Sequence, residues 1–167
     1  MKQLLSFCLF FFISLNLFSQ TQKSFYQKDK TLIKIRIAND SILEITSSKN
    51  KTKQIIKDFD QTEKEITIAV DDYNFDGFQD FSIHQPDAGQ GVYEVYSLYI
   101  YNQKTSKFNL VEVPEKPEPN CIFLCDLKID RKNKRIISSC RGGAKWHKDY
   151  WVFNKKGKIV LFLKTVN

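Results

Sequence analysis

Between two runs of alternating residues the chain reads Asp72-Tyr-Asn-Phe-Asp-Gly-Phe-Gln-Asp80, which sets oxygen-bearing side chains at relative positions 1, 3, 5 and 9 and glycine at position 6. Alternate side chains in a tightly coiled loop can aim at one point, and Gly77 permits the sharp turn that follows. The main-chain carbonyl of Phe78 adds a further oxygen at position 7. A hard divalent cation that takes six to eight oxygens at roughly 2.3–2.6 Å is served by such a set, and Ca2+ is that cation. The expected ligands are therefore Asp72, Asn74, Asp76, Phe78 through its carbonyl, and Asp80. Without an ion, convergent carboxylates repel one another, so the empty loop is expected to be less ordered. The competing reading is an Asx-rich turn that holds no ion, since Asp, Asn and Gly form turns for local hydrogen-bonding reasons. Position 12 carries no Glu, so an EF-hand helix pair is not implied. Asp71 either adds a ligand or caps its strand, while Phe75, Phe78 and Phe81 pin the loop to a core.

A loop of this kind must hang from rigid elements, and the surrounding sequence supplies strands. Ile33, Ile35 and Ile37 alternate with Lys34 and Arg36, Asn39-Asp40 marks a turn, and Ser41 to Thr46 returns the chain. Ser47 to Lys53 reads as a polar loop, Gln54 to Phe59 is ambiguous, and Glu65 to Val70 alternates again. Val92 to Tyr101 is the longest strand signal, and it is apolar or aromatic on both faces. Asn102 to Lys107 turns the chain into Phe108 to Val113. Pro114, Pro117 and Pro119 cannot sit inside a sheet, so that stretch crosses the surface. A hairpin around Arg131-Lys-Asn-Lys134 and another around Asn154-Lys-Lys-Gly157 complete the chain. Helices longer than two turns and internal repeats are absent from the pattern. The fold class is all-β and mostly antiparallel, a single β-sandwich or flattened barrel over residues 31–167 with the acidic loop embedded in it.

Residues 1–19 have one charge, Lys2, then an apolar run from Leu4 to Phe18 and a small Ser19, the layout of a cleaved signal peptide. The run is shorter than the roughly 20 residues a spanning helix needs. Cys8 lies inside it, where it cannot serve as a lipid-anchored N-terminus. Export to the periplasm or beyond is expected, with no membrane span after cleavage. Residues 20–30 are polar and read as a loosely held entry segment. The formal net charge of +7 falls to +6 without Lys2. The lysines are scattered and do not interleave with aromatics, so a nucleic-acid partner is not indicated.

Cys121, Cys125 and Cys140 remain in a compartment where disulfides persist. Pairing Ile129 with Ile136 across the first late hairpin puts Cys125 opposite Cys140, which makes that bridge the first expectation. Cys121 with Cys140 is the second, and three reduced buried thiols the third. His84 and His147 show no ligand spacing and read as surface residues.

The signal-like start, the Val70-Asp-Asp-Tyr-Asn-Phe-Asp-Gly-Phe-Gln-Asp80 loop, the glycine-bearing segment Asp87-Ala-Gly-Gln-Gly-Val-Tyr93, and Tyr-Ser-Leu-Tyr-Ile-Tyr101 together resemble calcium-binding periplasmic lysozyme-inhibitor-like proteins. That family includes immunity proteins against secreted peptidoglycan hydrolases. The resemblance extends over residues 65–165 and takes in the Ser-Ser-Cys-Arg-Gly-Gly143 loop and the Tyr-Trp-Val-Phe153 hairpin. It implies a β domain that presses a loop into a glycan hydrolase's active site, with calcium stiffening the loop region. Gly91 and Tyr93 match the inhibitory glycine-and-tyrosine pair, with Arg141 to Lys145 as a neighbouring contact. A chain of charge +6 is steered toward an acidic partner rather than a basic one.

An enzyme is the reading with least support. The sequence has no Gly-x-Ser-x-Gly elbow, His-Glu-x-x-His pair or phosphate-cradling glycine loop. The alternative to an inhibitor is a calcium-stabilised adhesion or scaffolding domain at the cell surface.

Overall fold

The computed structural model describes residues 22–38, 42–57, 66–87, 89 and 93–166. The signal segment 1–19 and Gly91 lie outside the described residues. Among the described residues thirteen strands follow one another: β1 (Gln22–Tyr26), β2 (Leu32–Ile37), β3 (Ile42–Ser47), β4 (Thr52–Lys57), β5 (Thr67–Asp71), β6 (Asp80–Pro86), β7 (Glu94–Asn102), β8 (Lys107–Leu110), β9 (Leu124–Cys125), β10 (Lys128–Asp130), β11 (Arg135–Gly142), β12 (Lys145–Phe153) and β13 (Ile159–Val166). The helical content among the described residues is one short 3-10 turn, Lys49–Lys51. The class is all-β and antiparallel, in layered form.

Three meanders make three sheets, each with strands in chain order: β1 to β4, β5 to β8, and β10 to β13, with β9 added beside β7. Sequential antiparallel strands need only short turns, which is what the polar Asn, Lys and Gly clusters provide. Gly157, at φ 72, makes the β12–β13 turn expected at Asn154–Gly157.

The middle sheet is covered on both faces. Its Phe81, Ile83, Tyr99, Tyr101 and Phe108 pack against Ile33, Ile35, Leu43 and Ile45 of the first sheet. Phe81 and Tyr99 stack with centroids 4.7 Å apart, and Phe108 meets Phe81 edge-on at 4.9 Å. Leu98, with Leu124 and Tyr73, packs instead against Ile136, Trp151 and Ile159 of the third sheet. The two-sided apolar pattern of β7 is thus the signature of a strand buried on both sides. Each such side chain contributes about 2 kcal/mol of transfer free energy.

Two glutamines join the first sheet to the second by imitating a strand partner. Gln27 donates through Nε2 to the Gln79 carbonyl at 2.8 Å and accepts from the Gln79 N–H at 2.6 Å. Gln54 does the same to Phe108, at 2.8 and 2.9 Å.

Within the 20–30 segment, Gln22–Tyr26 is a full edge strand paired from Gln22↔Arg36 to Tyr26↔Leu32, although only Phe25 turns toward the core. The polar loop ends early, because β4 starts at Thr52. Ser-Ser-Cys-Arg-Gly-Gly143 is a hairpin rather than a loop, since β11 runs to Gly142 and pairs with Lys145.

The disulfide is Cys121–Cys140, with Cα atoms 5.8 Å apart, and Cys125 is a buried free thiol. The Ile129↔Ile136 register is as expected. The chain nevertheless bends at Asp126, φ 42, and carries Cys125 away to pair with Val95 of β7. Ser138 then fills the gap, accepting from the Cys125 N–H at 2.8 Å and donating to its carbonyl at 3.1 Å.

Candidate metal centre

Asp72, Asn74, Asp76 and Phe78 lie on one excursion between β5 and β6, and Asp80 opens β6 itself, paired with Asp71. Gly77 (φ 84) and Phe75 (φ 62) both take left-handed backbone, which coils the segment tightly. Asp72 accepts from the N–H groups of Asp76 at 3.1 Å and Gly77 at 2.8 Å. Asn74 Oδ1 accepts from the Asp76 N–H at 3.0 Å, and its Nδ2 donates to Asp76 Oδ2 at 3.1 Å. Asp76 Oδ1 accepts from the Phe78 N–H at 2.8 Å. Asp72, Asn74 and Asp76 are therefore knitted into one rim.

Asp80 stands apart from that rim. It is fully buried, its Oδ2 accepting from the N–H groups of Tyr73 at 2.9 Å and Asn74 at 3.3 Å, and its Oδ1 from Tyr101 of β7 at 2.8 Å. Burial pushes its carboxyl up to about 8, against the three N–H groups that favour the charged form. Among the described residues no three His, Cys, Asp or Glu side chains form a group that could hold a metal ion. A cation here would draw on a mixed set, with the Asn74 amide and the Phe78 carbonyl beside the carboxylates.

Asp71 resolves as a structural residue. It caps the Asp72 N–H at 2.7 Å and holds Arg131 Nη2 through both carboxylate oxygens, at 2.6 and 2.8 Å. Two residues at this site carry no local sequence signal. Gln27 fixes the backbone at Gln79, and the Lys28 ammonium lies 3.4 Å from the Asp76 carbonyl and 4.3 Å above the Phe78 ring. Phe78 also stacks on Tyr101 at 5.7 Å, so the aromatic side chain anchors the loop as expected.

Of the partner residues expected from the resemblance, Tyr93 lies at the other end of β6, whose seven residues at about 3.3 Å each put it roughly 20 Å from the acidic loop. Calcium in that loop would therefore reach Tyr93 through the sheet, not by contact. Tyr93 is half-buried against Cys121, Cys125 and Cys140, and its carbonyl accepts from the Asp87 N–H at 2.9 Å, closing the segment between them. Burial raises its hydroxyl above the usual tyrosine range, with Asp87 adding to the effect. Arg141 follows the bridged Cys140, is exposed, and donates through Nε to the Gly143 carbonyl at 3.0 Å. Tyr93 therefore packs on the disulfide, while Arg141, one residue past Cys140, faces the other side of β11.

The histidines are less exposed than expected. His84 is half-buried beside Tyr96, centroids 4.5 Å apart, and burial lowers its pKa. His147, half-buried, sits opposite Cys140 on the adjacent strand.

Comparison of the chain with family models, characterised proteins and solved structures returns no match. No helix among the described residues is long and apolar enough to cross a membrane.

Proposed function

We propose that this chain is an exported, calcium-stabilised inhibitor of a lysozyme-like peptidoglycan hydrolase, of the kind that gives immunity to the cell making it. The Asp87–Tyr93 segment enters the enzyme's active-site cleft, with Gly91 and Tyr93 as its contact residues and Arg141 as a further contact. The observation that carries this reading is how that segment is mounted. It joins β6 to β7 in the sheet covered on both faces, its ends meet at Asp87 N–H to Tyr93 carbonyl, and Tyr93 rests on the disulfide cluster. A loop on so stiff a base binds at low entropic cost. The Cys121–Cys140 bridge suits an oxidising compartment.

The test is inhibition of a panel of peptidoglycan hydrolases. A one-to-one complex is expected, and Tyr93→Ala should weaken it by about thirtyfold, the scale of a hot-spot aromatic. If no hydrolase is inhibited, or if the variant inhibits equally well, the reading is wrong.

Calcium is assigned to the rim of Asp72, Asn74 and Asp76 with the Phe78 carbonyl, while Asp80, expected as a further ligand, braces the loop from the sheet through the N–H groups it accepts. An ion that binds the native state alone adds about 2.7 kcal/mol at a hundredfold excess over its Kd, on the order of 5–10 °C in Tm for a domain of this size. Thermal unfolding of residues 20–167 in millimolar calcium and in chelator should show that rise, and Asp76→Ala should abolish it. Identical curves would leave the loop a turn held by its own amides.

A calcium-stabilised adhesion or scaffolding domain is the second reading. The exposed Phe162, Leu163 and Val166 on edge strand β13 favour it, because they offer a binding surface unrelated to the Tyr93 loop.

A further inference from the structure

The third sheet has one face against the middle sheet and one turned outward. Ile136, Ser138 and Cys140, across from Trp151, Asp149 and His147, make the inner face. The alternate residues Ser139, Lys148, Arg141 and Trp146 share the outer one, with Ser139 paired to Lys148 and Arg141 to Trp146. Beside them opens a groove of about 600 Å³ whose lining combines Tyr96, Leu127 and Trp146 with Asp126, Lys128 and Lys148. That is the size of a ligand pocket.

Its charge is unbalanced. Among the described residues neither Lys128 nor Lys148 has a carboxylate within ion-pair reach, whereas Arg131 and Arg135 nearby are taken by Asp71 and Asp130. Asp126, the carboxylate in the lining, is half-buried and accepts from the Glu94 N–H at 2.8 Å. Two unpaired ammonium groups therefore share the groove with an indole and the apolar Tyr96 and Leu127. Such a combination attracts a group that is anionic at its edges and apolar at its centre. An exposed tryptophan is also among the residue types enriched at interface hot spots.

We propose that this groove is a second contact site for the protein partner and takes an extended acidic segment bearing an apolar side chain, carboxylates on Lys128 and Lys148 and the apolar group against Trp146. It rests on the inhibitor reading for the identity of the partner as a protein. It extends that reading, because Arg141, a proposed contact residue, pairs with Trp146 of the groove. The net charge of the chain steers an acidic partner the same way.

The chain's two tryptophans make the test direct, since Trp146 is 38% exposed and Trp151 fully buried. Acrylamide quenching then reports Trp146 alone. The probes are a Glu-Glu-Leu-Glu-Glu peptide and, as an acidic glycan, polygalacturonate. The peptide should shield Trp146, and the Lys128→Ala/Lys148→Ala variant should bind it about tenfold more weakly. Unchanged Trp151 emission shows that this variant is folded. Quenching unaffected by the peptide, equal peptide binding by the variant, or tighter binding of polygalacturonate would each overturn the proposal. Peptide binding needs no hydrolase, so a failed inhibition assay with Trp146 still shielded counts against the Tyr93 loop, and the reverse pattern counts against the groove.

Discussion

Asp80→Ala should cost about 4 kcal/mol of folding stability in chelator, while Asp76→Ala under the same conditions should cost no more than about 1 kcal/mol. The two residues belong to one acidic loop, but their surroundings differ. Asp80 is fully buried and satisfies N–H groups of Tyr73, Asn74 and Tyr101, the last on a separate strand. Removing its carboxylate leaves three amides without an acceptor, each costing roughly 1–3 kcal/mol, with water able to relieve some of them. Asp76 is exposed and supports only its own rim. Urea unfolding at constant m-value separates the cases. Equal losses would mean that Asp80 is simply one more loop acceptor. In calcium the order changes in kind, because Asp76→Ala should then also lose the ion's contribution.

The Cys121→Ser/Cys140→Ser variant should lose about 3 kcal/mol, the loop-closure entropy of a bridge spanning 19 residues. The bridge ties the proline-rich crossing to β11, and Tyr93 packs on it. Reduction should therefore weaken the proposed inhibitor as well as destabilise it. Cys125→Ala leaves the bridge intact and should cost about 1 kcal/mol for the sulfur removed from a packed site. Burial pushes the Cys125 thiol up to about 12, so it is protonated at neutral pH and exchanges slowly with the neighbouring disulfide. Peptide mapping without reductant should recover Cys121 joined to Cys140. Recovery of Cys125 joined to Cys140 would contradict the observed pairing.

That pairing shows where sequence reasoning stops. Ile129 and Ile136 pair as their hairpin predicts, yet continuing the ladder toward Cys125 fails. Cys125 answers to Val95, thirty residues earlier, and no local pattern announces such a partner. The same limit explains β1. Gln-Lys-Ser-Phe-Tyr has one half-buried residue, Phe25, and is a strand because β2 offers it an edge. The Gln27 and Gln54 bonds were equally invisible, since each serves a backbone 52 to 54 residues away. What could be read was periodic or local. β7 is apolar on both faces because two sheets cover it, and Gly77 stands where the loop needs left-handed backbone. The spacing of Asp72, Asn74, Asp76 and Asp80 placed them in one loop. It did not reveal that Asp80 turns inward to the sheet.

The middle sheet's position also sets a timetable for the chain as it emerges from its N-terminus. Hairpins within each meander close quickly, because their partners are near in sequence. The first sheet, however, has nothing to cover Ile33, Ile35, Leu43 and Ile45 until residues up to Phe108 have appeared. The far side of the middle sheet then waits for Ile136, Trp151 and Ile159. Interruption at either stage strands an apolar sheet face in water, so a nascent chain of this protein depends on uninterrupted delivery or on a holding chaperone.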